Sequence, residues 1–220
     1  MPAPSIALLV SLAMVGADGG TLRGVVVEPG GRPAAGAEVV AASASWDGEP
    51  PALIGRALTD DQGRFAIESA GGPRGPATLW ATRPGSVAAS CPIGRGSAEG
   101  LASRLALGRS PGASFRVVDP EGRPVVGATI LPRRVARETS EVPEAVGQLA
   151  SATTDRDGRA TLKAFLPEEL LEVGVVAAGF GLQVREFGRP GGLAEAGPKS
   201  IKLRPVGRVA GRGVAEGCGQ

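Results

Sequence analysis

The side chains with the most chemical potential in this chain are carboxylates. Asp155-x-Asp157-Gly158 has the opening spacing of a calcium-binding loop, where oxygens two residues apart share one cation. Asp60–Asp61 and Glu168–Glu169 are adjacent pairs of the type acid–base catalysis uses. Both readings meet limits. The loop lacks the later acidic ligand at the expected distance, so a glycine turn competes with metal binding and is preferred. Adjacent carboxylates on a strand point to opposite faces and do not form an acid–base pair. The chain has no histidine, which removes Ser–His–Asp and Cys–His nucleophile systems and the imidazole ligands of catalytic zinc. Lys163, Lys199 and Lys202 stand in ordinary strand-like contexts. Cys91 and Cys218 either pair or remain free thiols, and two cysteines do not define a disulfide framework. The expectation is a non-enzyme, with no catalytic residue, no cofactor and no metal.

Sugar binding is the other chemistry to weigh, because sugar C–H faces stack on exposed rings. The chain has no tyrosine, two tryptophans and five phenylalanines. Phe65, Phe115, Phe180 and Trp80 lie in apolar, strand-like contexts and are expected in a core. Trp46, in the polar, Pro-rich stretch "SASWDGEPP", is the one candidate ligand contact. A tryptophan folded over the end of a sandwich is the competing reading.

These residues sit in a chain that spells one phrase twice. "VVVEPGGRPAAGAEVV" (25–40) returns as "RVVDPEGRPVVGATIL" (116–131). "TDDQGRFAI" returns as "TDRDGRATL", "LWATRPG" as "VVAAGFG" and "RLALGR" as "SIKLRP", in the same order and at a shift of 91 to 96 residues. Preserved order and spacing mark two copies of one unit, residues 20–110 and 111–205. Residues 206–220 are either a tail or the start of a truncated third repeat. Residues 1–19 carry an apolar run, Ile6 to Val15, followed by small residues at Val15 and Ala17. It is too short for a membrane span and fits a secretory signal peptide with cleavage after Ala17, although no Lys or Arg precedes it. An exported, periplasmic or cell-surface protein is expected. A net charge of +2 from scattered, mostly arginine cations gives no reason to expect a nucleic-acid partner.

The elements follow from punctuation. Gly (35) and Pro (19) separate short Val-rich runs, the pattern of a turn-rich β protein. In "DPEG" (119–122), Pro120 suits the second position of a type I turn, and Gly122 can close it with positive φ; "EPGG" (28–31) places Gly31 in the same role. "TDDQGRF" and "TDRDGRA" read as hairpins closed by Gly63 and Gly158. Gly31, Gly63, Gly122 and Gly158 are therefore the structural turn residues. Gly36 and Gly127 suggest a bulge or close approach, and Pro33 and Pro124 a sheet edge. Ala37, Val39 and Ala41 should share one face, as should Ala128 and Ile130. "FLPEELLEV" (165–173) has helix-like composition but room for only a single turn before the next strand. About seven short strands per copy imply tandem small antiparallel β-sandwiches.

Both motifs, each present twice, resemble the carboxypeptidase regulatory-like domain, a transthyretin-like β-sandwich. The resemblance spans about residues 20–205 and implies an all-β, prealbumin-like fold of Greek-key type. Two departures stand out. Ala160 occupies a position that is often aromatic in the family, which implies a less filled core in the second copy. Pro84 replaces the aromatic that follows a late glycine, kept in copy two as Gly179-Phe180. The resemblance implies a non-catalytic structural or interaction module of an exported or cell-surface protein, with an unknown protein or glycan partner; the Val-Gly rhythm of residues 207–220 leaves room for further repeats in a longer chain. The short apolar run gives no integral membrane span, and the missing histidines detach the resemblance from peptidase activity. A carbohydrate-binding module using Trp46 is the alternative.

Overall fold

A computed structural model describes residues 21–44, 49–68, 75–93, 103–137, 141–187 and 197–205. The expected leader (1–19), Trp46, Cys218 and residues 206–220 lie outside the described residues. The chain divides into two compact units between Arg109 and Ser110. Both are all-β, with little helix.

Unit 1 contains β1 (Thr21–Val27), β2 (Glu38–Ser43), β3 (Leu53–Leu58), β4 (Arg64–Glu68), β5 (Ala77–Thr82), β6 (Ala89–Ile93) and β7 (Ser103–Ala106). They form a three-stranded sheet, β4-β1-β7, and a four-stranded sheet, β3-β2-β5-β6. Between them Val26, Val39, Phe65, Ile67, Leu79 and Leu105 share one apolar cluster. Alternation explains it: in β4, Phe65 and Ile67 point inward while Arg64, Ala66 and Glu68 are exposed. The inner strands depart from alternation. Val40 and Ala42 are buried along with Val39 and Ala41, and all six residues of β5 are buried, Trp80 completely.

Unit 2 repeats the plan with β8 (Ala113–Val118), β9 (Thr129–Val135), β10 (Ala152–Thr153), β11 (Arg159–Leu162), β12 (Leu170–Ala177), β13 (Gly181–Glu186) and β14 (Lys199–Lys202). Its sheets are β11-β8-β14 and β10-β9-β12-β13. The helix-like segment becomes one 3₁₀ turn, Pro167–Glu169, leading into β12. A short helix α1 (Glu144–Leu149) before β10 has no counterpart in the expectation.

Several expectations change. The closing strands β7 and β14 run parallel to β1 and β8, so the three-stranded sheets are mixed. Neither recurring turn makes a hairpin within one sheet. The first links β1 to β2 and the second links β3 to β4, each time between different sheets. Both are corners. Pro33 and Pro124 sit on single bridges, Val27–Pro33 and Val118–Pro124, just where pairing ends, because proline has no N–H for a longer ladder. Gly36 and Gly127 make no bulge or close approach; each has positive φ (68° and 74°) in a turn with open space around it. Phe180 is only half-buried, at the turn joining β12 to β13.

The second core is not underfilled at Ala160. In unit 1, Gly24 pairs with Phe65 across β1 and β4. In unit 2, Phe115 pairs with Ala160 across β8 and β11. The ring has moved to the opposite strand, and the small residue has taken its place. Phe115 is fully buried, with Phe187 5.9 Å away between ring centroids.

Candidate functional site

The carboxylates and glycines singled out by the sequence gather at the sandwich corners. Four five-residue segments share one frame: Glu28–Arg32, Asp60–Arg64, Asp119–Arg123 and Asp155–Arg159. In each, the first N–H donates to the fifth carbonyl (2.8–2.9 Å), and the glycine N–H at position four donates to the first carbonyl (2.8–3.1 Å). In the three that begin with aspartate, Oδ1 accepts the N–H groups of positions three and five at 2.8–2.9 Å. The arginine then closes two of them, with Nε donating to Oδ2 in Asp60–Arg64 (3.0 Å) and Asp119–Arg123 (2.6 Å). Glu28 is one methylene longer. Its carboxylate turns away to pair with Arg83 and, at 3.4 Å, with Arg32.

Electrostatics follow the hydrogen bonds. The Arg64 N–H is the largest influence on Asp60 and lowers its pKa, helped by the Arg64 guanidinium. Asp155 is lowered first by the Arg159 N–H, then by that of Asp157. Desolvation is the largest single influence on Asp119 and pushes upward, but the Arg123 N–H and guanidinium together outweigh it and the net shift is downward. Arg123 is correspondingly raised by Asp119. These groups are held ionised by donors that also define the corner.

The calcium reading of Asp155 and Asp157 therefore meets a different geometry. Asp155 Oδ1 serves two backbone donors, and Asp157 contributes its N–H to that oxygen while its own carboxylate lies 4.0 Å from Arg156. Among the described residues no group of three or more candidate ligands converges. Asp60 and Asp61 lie on a corner, not a strand. Glu168 and Glu169 lie on the 3₁₀ turn, where Glu169 pairs with Arg137 at 2.8 Å while Glu168 is exposed. Cys91 is a partly exposed free thiol at the edge strand β6.

The four turn glycines have φ of 85° (Gly31), 70° (Gly63), 85° (Gly122) and 71° (Gly158), a region that disfavours side chains. Gly30 also has positive φ (100°). Copy two has Glu121 at that place. A second constraint separates the glycines. A Cβ on Gly63 would collide with the Val26 carbonyl oxygen, and one on Gly158 with that of Val117; Gly31 and Gly122 have room. The cause is docking of corner two on corner one, with Val26 and Val117 donating N–H to the Gly63 and Gly158 carbonyls at 2.7 Å.

Thr59 and Thr154 were not singled out by the sequence, yet they hold the motif together. Both are buried. Thr59 Oγ1 accepts the Ala37 N–H (2.8 Å) and donates to the Ala34 carbonyl (2.5 Å); its backbone bonds Gly36 and Ala37. Thr154 does the same with Ala128, Val125 and Gly127. The clue available was the shared order of the two copies: Thr-Asp-x-x-Gly-Arg follows Gly36-Ala37 and again Gly127-Ala128.

No helix of the described residues is long and apolar enough to cross a membrane. No family model matches the chain, and no curated protein matches it. Among solved structures, it is similar to the shaft pilin SpaA from Lactobacillus rhamnosus GG, with 11% identity, TM-score 0.34, and 88% of this chain covering 100% of that one. It is also similar to a streptococcal ancillary pilin, at 13% identity and TM-score 0.32, covering 86% of this chain and 63% of that one. The Bacillus anthracis TIE protein aligns at 16% identity and TM-score 0.28, covering 84% of this chain and 33% of that one. Similarity at this level carries no argument about architecture or activity.

Proposed function

We propose that the chain is a tandem pair of non-catalytic β-sandwich modules, structural or adhesive in role, from an exported or cell-surface protein. The observation that carries this is how the candidate chemistry is used. Asp60, Asp119 and Asp155 each hold a corner through two backbone N–H groups. A carboxylate so occupied is a poor general base, because its lone pairs and its lowered pKa both resist protonation. The resemblance to carboxypeptidase regulatory-like domains, which sit beside catalytic domains without being catalytic, supports the same reading. Export rests on the apolar run Ile6–Val15 and the small residues after it.

The test is expression of the full chain in a secreting bacterial host. N-terminal sequencing of protein recovered outside the cytoplasm should begin at Asp18. Protein retained inside with Met1 in place would overturn export. Stoichiometric metal in the purified protein, lost on Asp155→Asn, would overturn the structural assignment of that corner.

A further inference from the structure

The three-stranded sheet of unit 2 has a cationic outer face. Burial alternates along its strands. Phe115, Ala160, Leu162 and Ile201 point inward; Ser114, Arg116, Arg159, Ser200 and Lys202 are exposed and Thr161 half-exposed. Register places Arg159 directly opposite Arg116 on β8, and Ser200 opposite Arg116 on its other side. Lys202 follows two residues along β14, on the same face. Thr161 is opposite Ser114, their hydroxyls 3.3 Å apart. None of the three strands contains Asp or Glu.

Like charges directly opposite one another on adjacent strands are destabilising. Unit 1 sets no two arginines directly opposite in the same frame: Val25 stands between Arg64 on one side and Arg104 on the other, and Arg23 is opposite Ala66. There Arg64 is also paired with Asp60, and Glu68 shares the face. In unit 2 the nearest acids are at the corners. Asp119 is paired with Arg123, and Asp155 accepts two backbone N–H groups while it also feels the Arg159 charge. Lys202 stands opposite Val118, one residue from Asp119, whose carboxylate is already taken by Arg123. The repulsion has no structural use in the sandwich, and an external anion would relieve it.

The geometry points to this face as a binding surface for an anionic polysaccharide, its acid groups meeting Arg116, Arg159 and Lys202 and its hydroxyls meeting Ser114, Thr161 and Ser200. Guanidinium forks suit sulfate and carboxylate oxygens. Strands about 4.8 Å apart present the cations as a slanted row rather than a pocket, which fits an extended polymer. The choice of polymer follows from what the face lacks. It has no exposed apolar anchor for the dry centre of a protein interface; Val176, Leu182 and Val184 are exposed on the other sheet. It has no aromatic side chain on which bases or neutral sugars could stack. This inference rests on the reading of the chain as a binding or structural module, and the two are separable by experiment.

Binding of the full chain to dextran sulfate should be measured by titration across a range of salt, with neutral dextran as the blank and single-stranded oligothymidine as the competing polymer. The wild type should bind dextran sulfate and not dextran. Arg116→Gln with Lys202→Gln should weaken binding about tenfold or more and reduce the log–log salt slope by about two, one per cation removed. Arg23→Gln with Arg104→Gln, an equal change in net charge on unit 1, should leave it unchanged. No binding, equal loss in both double variants, or tighter binding of the oligonucleotide would each overturn the inference. Shortened dextran sulfate chains after incubation would overturn the non-catalytic reading while leaving the face intact.

Discussion

Thr154 Oγ1 donates to the Val125 carbonyl at 2.7 Å and at the same time accepts the Ala128 N–H at 2.8 Å. One buried hydroxyl thus joins the two motifs that recur in the sequence, and Thr59 repeats the arrangement in unit 1. The motifs travel together because each satisfies the other's backbone. Thr154→Val keeps the shape and removes both bonds, leaving a buried N–H and a half-buried carbonyl unpaired. The expected loss is about 1–3 kcal/mol, read as a lower urea midpoint for unit 2. Thr154→Ser should recover most of it. Equal stability of the valine variant would refute the stitching role.

Gly158 and Gly122 both have positive φ, but only Gly158 has a carbonyl oxygen where its Cβ would lie. Gly122→Ala should cost roughly 1–2 kcal/mol from backbone strain alone. Gly158→Ala should cost more, because corner two must also lift from corner one. Paired thermal melts decide the order; a milder Gly158→Ala would mean that the corners are not docked.

Ala160 opposite Phe115 reverses Phe65 opposite Gly24. Phe115→Gly should destabilise unit 2 by about 3–5 kcal/mol or more through cavity formation. Ala160→Phe alone should overpack it. Combined, the two changes rebuild the copy-one arrangement and should be less harmful than the sum of the singles, a positive coupling in a double-mutant cycle. Strict additivity would show that the two positions do not share one volume.

Asp60, Asp119 and Asp155 have folded pKa values below their ordinary ones. Groups with lowered folded values stabilise above the unfolded pKa and lose that contribution as pH falls through the folded one. Melting temperature should therefore hold near neutral pH and drop below about pH 4. Asp60→Asn should flatten the acid limb, since an amide does not titrate. An acid limb unchanged in all three Asn variants would place the titration elsewhere.

Residues 111–205 expressed alone should give a β-type circular dichroism spectrum and a cooperative melt, because the unit carries its own buried set, from Phe115 and Ile130 to Leu170 and Leu203. A broad, non-cooperative melt would show that the copies do not fold independently.

Much of this was legible in the chain itself. The repeat, the strand count and the turn glycines are written in local chemistry: Pro, Gly and Asp favour particular φ, ψ and side-chain-to-backbone bonds whatever surrounds them. Alternation of Phe65 and Ile67 gave the inward face of β4 for the same reason. What neighbours across space determine could not be read that way. Hairpins and sheet-crossing corners use similar turn residues, and only pairing partners distinguish them, so local sequence between β3 and β4 fits a hairpin as well as the corner that forms. The move of the ring from Phe65 to Phe115 required knowing that Ala160 lies opposite Phe115. Arginines scattered over forty residues carry no sign of a patch until register sets Arg159 beside Arg116. Local geometry is encoded residue by residue, whereas adjacency between strands depends on long-range pairing, and that is the part tertiary structure alone decided.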